Sequence, residues 1–359
     1  WDLGHGRPGQ SVEGLLRGYQ FIKSLDHQHP IFMNHNPKAG PEFLRYARQY
    51  SEAADVIGTD EYPVPEGIGH SRLGDSLDCI GRYVENLEWI GQGKPVYMVL
   101  QGFGWYDLQG KDKKRGMPGR QPEWLETRFM AYDAVCHGAN GILYWGMKHV
   151  RLTDPIWSDL KRIASELRDL TPVLLDGQFE HLSSQDPDLE LHLKHHDGWD
   201  YLFVLNTKRR NLGVRKIELP RDWHGQEAKV LFEGREIHAD NGSITDSFGP
   251  YDVHVYTDDP RPDLVVEIKC PEIVRVGEQA EVTIRVSNLG ESPTPRFNLS
   301  FQSLQQGGPC ELELLEMTPI AAHASAEARV LWIPPTAGNH TLRAVADPDG
   351  SVDELARLN

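Results

Sequence analysis

No run of about 20 apolar residues occurs in this chain, so none of it reads as a membrane-spanning helix. Positive charge is scarce as well. The 37 Lys and Arg are outnumbered by 53 Asp and Glu, for a net charge of −16. Nucleic-acid binders need clustered cations to displace counterions, so nucleic acid is not an expected partner. The densest basic run, Lys111-Asp112-Lys113-Lys114-Arg115, is short, broken by an acid, and reads as a solvated loop. Four cysteines in 359 residues are too few for a disulfide scaffold. Cys79 and Cys136 sit in helical patterns and read as buried thiols. Cys270 and Cys310 fall late in the chain, where a bridge and two free thiols both stay open. No cysteine spacing suits zinc, so no metal ligand is assigned. No G-x-G-x-x-G follows a strand, and Gly102-Phe103-Gly104 alone does not make a nucleotide loop. No cofactor is implied. Low-complexity tracts and fixed-period repeats are missing too. No leader peptide opens the chain, but the first residue is Trp1, so this carries no weight.

What remains is an ordinary globular composition, 39% hydrophobic and 25% charged, long enough for two or three domains. Residues 1–175 alternate strand and helix signals. The apolar runs His29–Asn34, Ala54–Asp60, Lys94–Gln101 and Gly141–Trp145 are separated by stretches with helical spacing at Ser11–Leu25, Asp75–Ile90 and Gln121–His137. A further helix is expected over Ile156–Leu170, with Thr171-Pro172 as its stop. Strands alternating with helices imply parallel pairing through helical crossovers. Over 176–258 the helical period gives way to short strands and turn signals such as Asp240-Asn241-Gly242, which predicts an antiparallel β-sandwich. Asp258-Asp259-Pro260-Arg261-Pro262 reads as a linker. Residues 263–359 show six strands at the spacing of an immunoglobulin-type sandwich. The expected fold class is α/β, half of a TIM-type barrel, plus two all-β sandwich domains.

In parallel α/β barrels, function sits at the C-terminal strand ends. Here those ends read Asn34-His35-Asn36, Thr59-Asp60-Glu61-Tyr62-Pro63, Gln101-Gly102-Phe103-Gly104-Trp105-Tyr106 and Tyr144-Trp145-Gly146. Acids, amides and aromatics on one rim suit a sugar, whose apolar faces stack on rings while its hydroxyls take hydrogen bonds. Asp60 and Glu61 are the candidate catalytic acids. Asn34, His35, Tyr62, Gln101, Trp105 and Trp145 are the candidate substrate-binding residues. Each has a packing or loop-holding role as its competitor, which for Asp60 or Glu61 would be a pair with Arg72. His149, and Asp2 and His5 near the chain start, read as structural.

The segments His29–Pro37, Ala54–Pro65, Lys94–Trp105 and Gly138–Gly146 resemble strands five to eight of the large (β/α)8-barrel glycoside hydrolase superfamily. They are most similar to bacterial glycosidase-like proteins with a D-x-Y-P sixth strand and an L-Y-W-G eighth strand. Residues 176–257 resemble the small β-sandwich that follows such barrels. Residues 263–359 resemble the CARDB class of adhesion-type sandwiches, through Asp263-Leu264-Val265-Val266, Val286-Ser287-Asn288-Leu289-Gly290, Trp332 and Ala346-Asp347.

The resemblance implies a glycoside hydrolase acting on saccharide or polysaccharide, secreted, periplasmic or on the cell surface. Two departures matter. The acid of strand four would lie upstream of Trp1, and Gln101 stands where retaining members carry a nucleophilic Glu; an amide is no nucleophile. A non-catalytic carbohydrate-binding or surface-display protein is therefore the alternative. Four strands cannot close a barrel. A longer gene product, a homodimer or a second chain would complete it. Asp347, Asp349 and Asp353 read as a solvated acidic turn, with calcium as the competing role.

Overall fold

A computed structural model describes residues 11–37, 39–67, 71–108, 119–305 and 308–355. Asp2, His5 and the basic run at 111–115 lie outside them. The first part is built on four parallel strands in the order β1 (Phe32–His35), β2 (Val56–Asp60), β3 (Val96–Gln101) and β4 (Gly141–Trp145). The helices are α1 (Val12–Leu25), α2 (Pro41–Arg48), α3 (Cys79–Gly91), α4 (Trp124–Cys136), α5 (Pro155–Asp169) and α6 (Thr171–Leu175). Ser11 caps α1, its hydroxyl accepting from the Gly14 amide at 3.0 Å. A capping box between Glu123 and Glu126 starts α4. The eight-residue α2 is too short for periodicity to reveal. α5 ends at Asp169, just before Thr171-Pro172 as expected, and the same pair opens the short α6, because proline is tolerated in a first turn.

The register sorts the side chains. Parallel partners share a face, so Asn34, Gly58, Tyr97 and Gly141 form one row, with Asp60, Val99 and Leu143 in the next. The alternate residues Met33, Ile57, Val96, Met98 and Leu100 join the core beneath α3 and α4. Val56 and Val99 are buried but outside that core, as expected for the opposite face. Two glycines are required there. A Cβ on Gly58 would lie 2.4 Å from the Tyr97 carbonyl, and one on Gly141 would lie 2.6 Å from the Tyr97 ring.

The second part has eight strands: β5 (Glu180–Leu182), β6 (Leu189–His196), β7 (Trp199–Asn206), β8 (Gly213–Glu218), β9 (Glu227–Val230), β10 (Arg235–His238), β11 (Ser243–Phe248) and β12 (Val253–Thr257). They form a six-stranded sheet, β10-β9-β12-β7-β6-β5, and the ribbon β11-β8. Positive φ at Asn241 and Gly242 makes the tight turn that the sequence announced. One face of the larger sheet packs on β8 and β11 through Leu202, Val204, Ile217 and Ile244. The other supplies Tyr201, Phe203, Leu205 and Val255 to the core beneath α4. The first two parts therefore share a hydrophobic core. Arg128 on α4 joins them, donating to Glu166 of α5 at 2.7 Å and to the Val253 carbonyl of β12.

The third part is a sandwich of two three-stranded antiparallel sheets with its own core, Val282, Ile284, Val286, Leu299, Phe301 and Val330 among its members. The sheets are β13 (Leu264–Lys269), β14 (Ala280–Asn288) and β17 (Ser325–Trp332), and β16 (Gly308–Met317), β15 (Phe297–Gln305) and β18 (Thr341–Ala346). Cys270 and Cys310 are both free and exposed; Cys79 and Cys136 are buried thiols. Asp347 holds its turn by accepting from Ser351 and Val352 main-chain amides, both at 2.9 Å, so it is not a solvated acid.

The expected linker stretch between β12 and β13 packs closely. Asp258 and Asp259 are buried. Asp258 accepts from the Asp200 amide at 2.8 Å, and Asp259 from the Tyr201 hydroxyl at 2.6 Å. Arg261 donates to Asp259 at 2.9 Å, to the Tyr201 hydroxyl at 2.9 Å and to Asp353 at 3.2 Å. The charges of this stretch are paired across the joint.

Candidate functional site

The strand ends bring together some of the expected residues and separate others. Asn34 ends the inner row on β1 and Asp60 that on β2. The Asn34 amide nitrogen donates to the Asp60 carboxylate at 2.8 Å. The Asn34 carbonyl oxygen is buried and has no hydrogen-bond partner among the described residues. Trp145 ends β4 on the same face and keeps 40% of its surface exposed. Strands sit about 4.8 Å apart, so β2 and β4 are separated by roughly 10 Å. Between them Tyr62, Phe103 and Trp105 form an aromatic cluster. Tyr62 meets Phe103 edge-on at 5.2 Å and lies tilted to Trp145 at 5.6 Å.

Four expectations meet a different geometry. Glu61 is 1% exposed and accepts from the adjacent Tyr62 amide at 3.0 Å. By strand alternation it points away from Asp60, toward α3. Its charge is felt there by Cys79 and Tyr83, whose thiol and phenol are pushed up chiefly by burial, the phenol to about 12. His35 takes the same side, lining a small space with Thr59, Tyr83 and Leu87. Gln101 does lie on the inner face but is fully buried. It gives both amide hydrogens to the Val64 and Phe103 carbonyls, at 2.9 and 3.0 Å, and accepts from the Val64 amide at 2.9 Å. Its amide shapes the loop after β2 and has no hydrogen left for a hydroxyl. Trp105 is buried against Phe103 at 5.1 Å rather than offered as a stacking face. Strand alternation sends Glu61 and His35 to the helix side, whereas the loops that fold back over the strand ends bury Gln101 and Trp105.

The sequence reading overlooked Phe32 and Tyr97, half-buried aromatics on the same face as Asn34, with ring centroids 5.9 Å apart. Position parity on β1 and β3 could have found them. Arg72 pairs with neither acid; its guanidinium lies over the Phe43 ring at 5.4 Å.

A second polar cluster lies where α4 meets the six-stranded sheet. His137, Glu190 and His192 present nitrogen and oxygen atoms within 4.8 Å of one another, the first from the end of α4 and the other two from β6. Neighbouring Asp133 is fully buried; burial pushes it up to about 8, against the pull of His137. Only the alternation of Glu190 and His192 on one strand signalled this in sequence.

Residues 261–359 match the CARDB family. This part of the chain is a CARDB domain. It is similar to the CARDB domain of a Pyrococcus furiosus protein solved in complex with di-metal ions, at 26% identity over 28% of this chain and 81% of that one, with a TM-score of 0.26. Most of the chain is similar in structure to amylase-type glycoside hydrolases. An Anoxybacillus alpha-amylase matches at 14% identity over 69% of this chain and 56% of its own, with a TM-score of 0.44. AmyP, solved with maltose, matches at 13% over 72% of this chain and 70% of its own, with a TM-score of 0.41. An endoxylanase from Clostridium papyrosolvens matches at 12% over 69% and 60%, with a TM-score of 0.37. No curated protein matches the chain.

Proposed function

We propose that this chain is a glycoside hydrolase-like protein that holds saccharide against the C-terminal ends of β1 to β4. The carrying observation is that Asn34, Asp60 and Trp145 share one sheet face, with a half-exposed indole two strands from a hydrogen-bonded amide–carboxylate pair. Asp60, oriented by Asn34, would take sugar hydroxyls. Trp145 would stack on a ring face, braced from behind by Phe103 at 4.9 Å. Gln101 would act indirectly, by fixing the loop that carries Tyr62. In hydrolysis Asp60 would be the acid, with its partner carboxylate supplied from outside this face. Further sequence, a second copy or another polypeptide would cover the open side of the sheet. A secreted, periplasmic or cell-surface setting belongs to the same proposal.

Binding without turnover is the second reading. It is favoured by the loss of Glu61 to the helix side, which leaves Asp60 as the one expected acid facing the cleft. The test is a panel of aryl glycosides and polysaccharides, read for turnover and for binding. Turnover abolished in Asp60→Asn supports hydrolysis. Binding with no turnover in any case, weakened in Trp145→Ala, supports the second reading. Neither binding nor turnover across the panel overturns both.

A further inference from the structure

We propose that His137, Glu190 and His192 form a site for a divalent first-row transition ion, zinc foremost, that ties α4 to the six-stranded sheet. This site is separate from the sugar-facing rim and does not rest on that reading. The three side chains converge without bonding well to each other. The Glu190 carboxylate oxygen is 3.7 Å from His137 Nε2 and 3.6 Å from His192 Nε2. Those separations are long for hydrogen bonds. They are close to the separation of two ligands on one ion: bonds of about 2.0–2.2 Å in tetrahedral array put ligand atoms roughly 3.3–3.6 Å apart.

His192 carries the argument furthest. It is 2% exposed, and neither ring nitrogen has a hydrogen-bond partner among the described residues. The same Glu190 oxygen is also without one. A buried imidazole left so is costly unless something pairs with it. An ion would satisfy both groups at once.

His137 is prepared in the way that metal-ligating histidines are. It ends α4, and its Nδ1 lies 2.8 Å from the Asp133 carbonyl oxygen. Donation there places the proton on Nδ1 and leaves the Nε2 lone pair facing Glu190. A backbone carbonyl holding the far nitrogen is the usual outer support of such a ligand. Glu190 and His192 are two apart on β6, so the pleat sends both to one side. Two imidazoles and a carboxylate suit zinc and its first-row neighbours better than calcium or magnesium. The fourth position is left to solvent or to His181, which opposes His192 across β5 and β6 with ring centroids 4.6 Å apart.

The test uses the full chain stripped with chelator, in a background with Cys270→Ser and Cys310→Ser so that the exposed thiols cannot compete. Zinc and cobalt(II) are titrated by calorimetry and visible absorption, and melting is followed with and without zinc. The expected result is a tetrahedral cobalt spectrum and a zinc-dependent rise in melting temperature. His192→Ala should bind one equivalent fewer and lose both signals. Glu190→Gln, which keeps the shape, should weaken zinc by at least about tenfold, no less than the loss of an outer-shell partner. Ions held by the CARDB domain would persist in every variant, so the difference between variants is the reading. If His192→Ala fails to fold, Glu190→Gln and His137→Asn are read instead. Equal stoichiometry and spectra in wild type and variants would overturn the site.

Discussion

Asn34 donates its side-chain amide to the Asp60 carboxylate at 2.8 Å, linking the tips of adjacent parallel strands. The pair sets the carboxylate's orientation toward the face that Trp145 shares. Replacing Asn34 by Ala should free that carboxylate to turn. The expected outcome is weaker saccharide binding with folding intact, read by glycan binding beside thermal melting. A hydrogen bond to a charged group contributes about 1.5–3 kcal/mol, which bounds the effect. Unchanged binding would detach the pair from ligand recognition.

Trp145→Ala should reduce saccharide affinity by roughly 2- to 10-fold, the scale of about 0.5–1.5 kcal/mol for one aromatic contact. Trp105→Ala should instead lower stability, because its ring is buried in the Tyr62 and Phe103 cluster. Titration of both variants with the same oligosaccharide, together with urea unfolding, separates the two roles.

Glu166 is completely buried and accepts from Arg128 at 2.7 Å and from the Tyr132 hydroxyl at 2.9 Å. Arg128→Met takes from that buried carboxylate its closest cation, leaving Tyr132 and, at 3.5 Å, Arg162, and also removes the tie to the Val253 carbonyl. A loss of about 3–5 kcal/mol is expected in urea unfolding. Unfolding of the helical layer and the second sheet should stay coincident, since they share a core.

The second part of the chain carries an acid-sensitive network. Burial pushes Asp246 up, but hydrogen bonds from Arg235 and Tyr256 outweigh it and hold the carboxyl below its ordinary range. Glu233 is likewise lowered against burial, by His254 and Arg235. A folded-state value below the unfolded one stabilises the protein above the unfolded value, near pH 4 to 4.5 by order of magnitude, and the contribution fades as pH falls through the folded one. Melting temperature should therefore drop with acidification below about pH 4. In Arg235→Met the drop should be shallower. Equal slopes in the two proteins would exclude Arg235 as the source.

At the joint, Asp259 accepts from both Tyr201 and Arg261. Asp259→Ala should loosen the CARDB domain from the sheet before it. Limited proteolysis is expected to cut near residues 258–262 faster in the variant than in wild type, since exposed, unpaired chain is what proteases take. Equal cutting rates would show that the ion pairs do not restrain the joint.

Elements with strong periodicity were legible from sequence almost to the residue. The Gly141–Trp145 strand was read with its observed bounds, and the stretch expected to be helical over Ser11–Leu25 forms α1 over Val12–Leu25. The six strands of the last sandwich alternate clearly enough to be placed, as in Ala280–Asn288 with buried Ala280, Val282, Ile284 and Val286. Short pieces escaped. The three-residue β5 and four-residue β10 hold too few positions to show a period, and they exist because a neighbouring strand is there to pair with.

For the site, local chemistry told which residue types stand at the strand ends, because a strand must stop in polar chain before it turns. That determined Asn34, Asp60 and Trp145 as candidates and, through alternation, could have set their common face. Whether a tip stays open was decided only by tertiary folding. Gln101 is claimed by Val64, two residues beyond Tyr62 in another loop, and Glu61 by the depth of α3 over the sheet. The meeting of His137 with Glu190 and His192 is likewise a product of packing, since a helix end and a strand that lie far apart in sequence carry no mutual signal until they touch. Sequence fixes what each residue can do within a few positions of itself. Burial and convergence belong to contacts between distant segments, and those decide which of these abilities remain available.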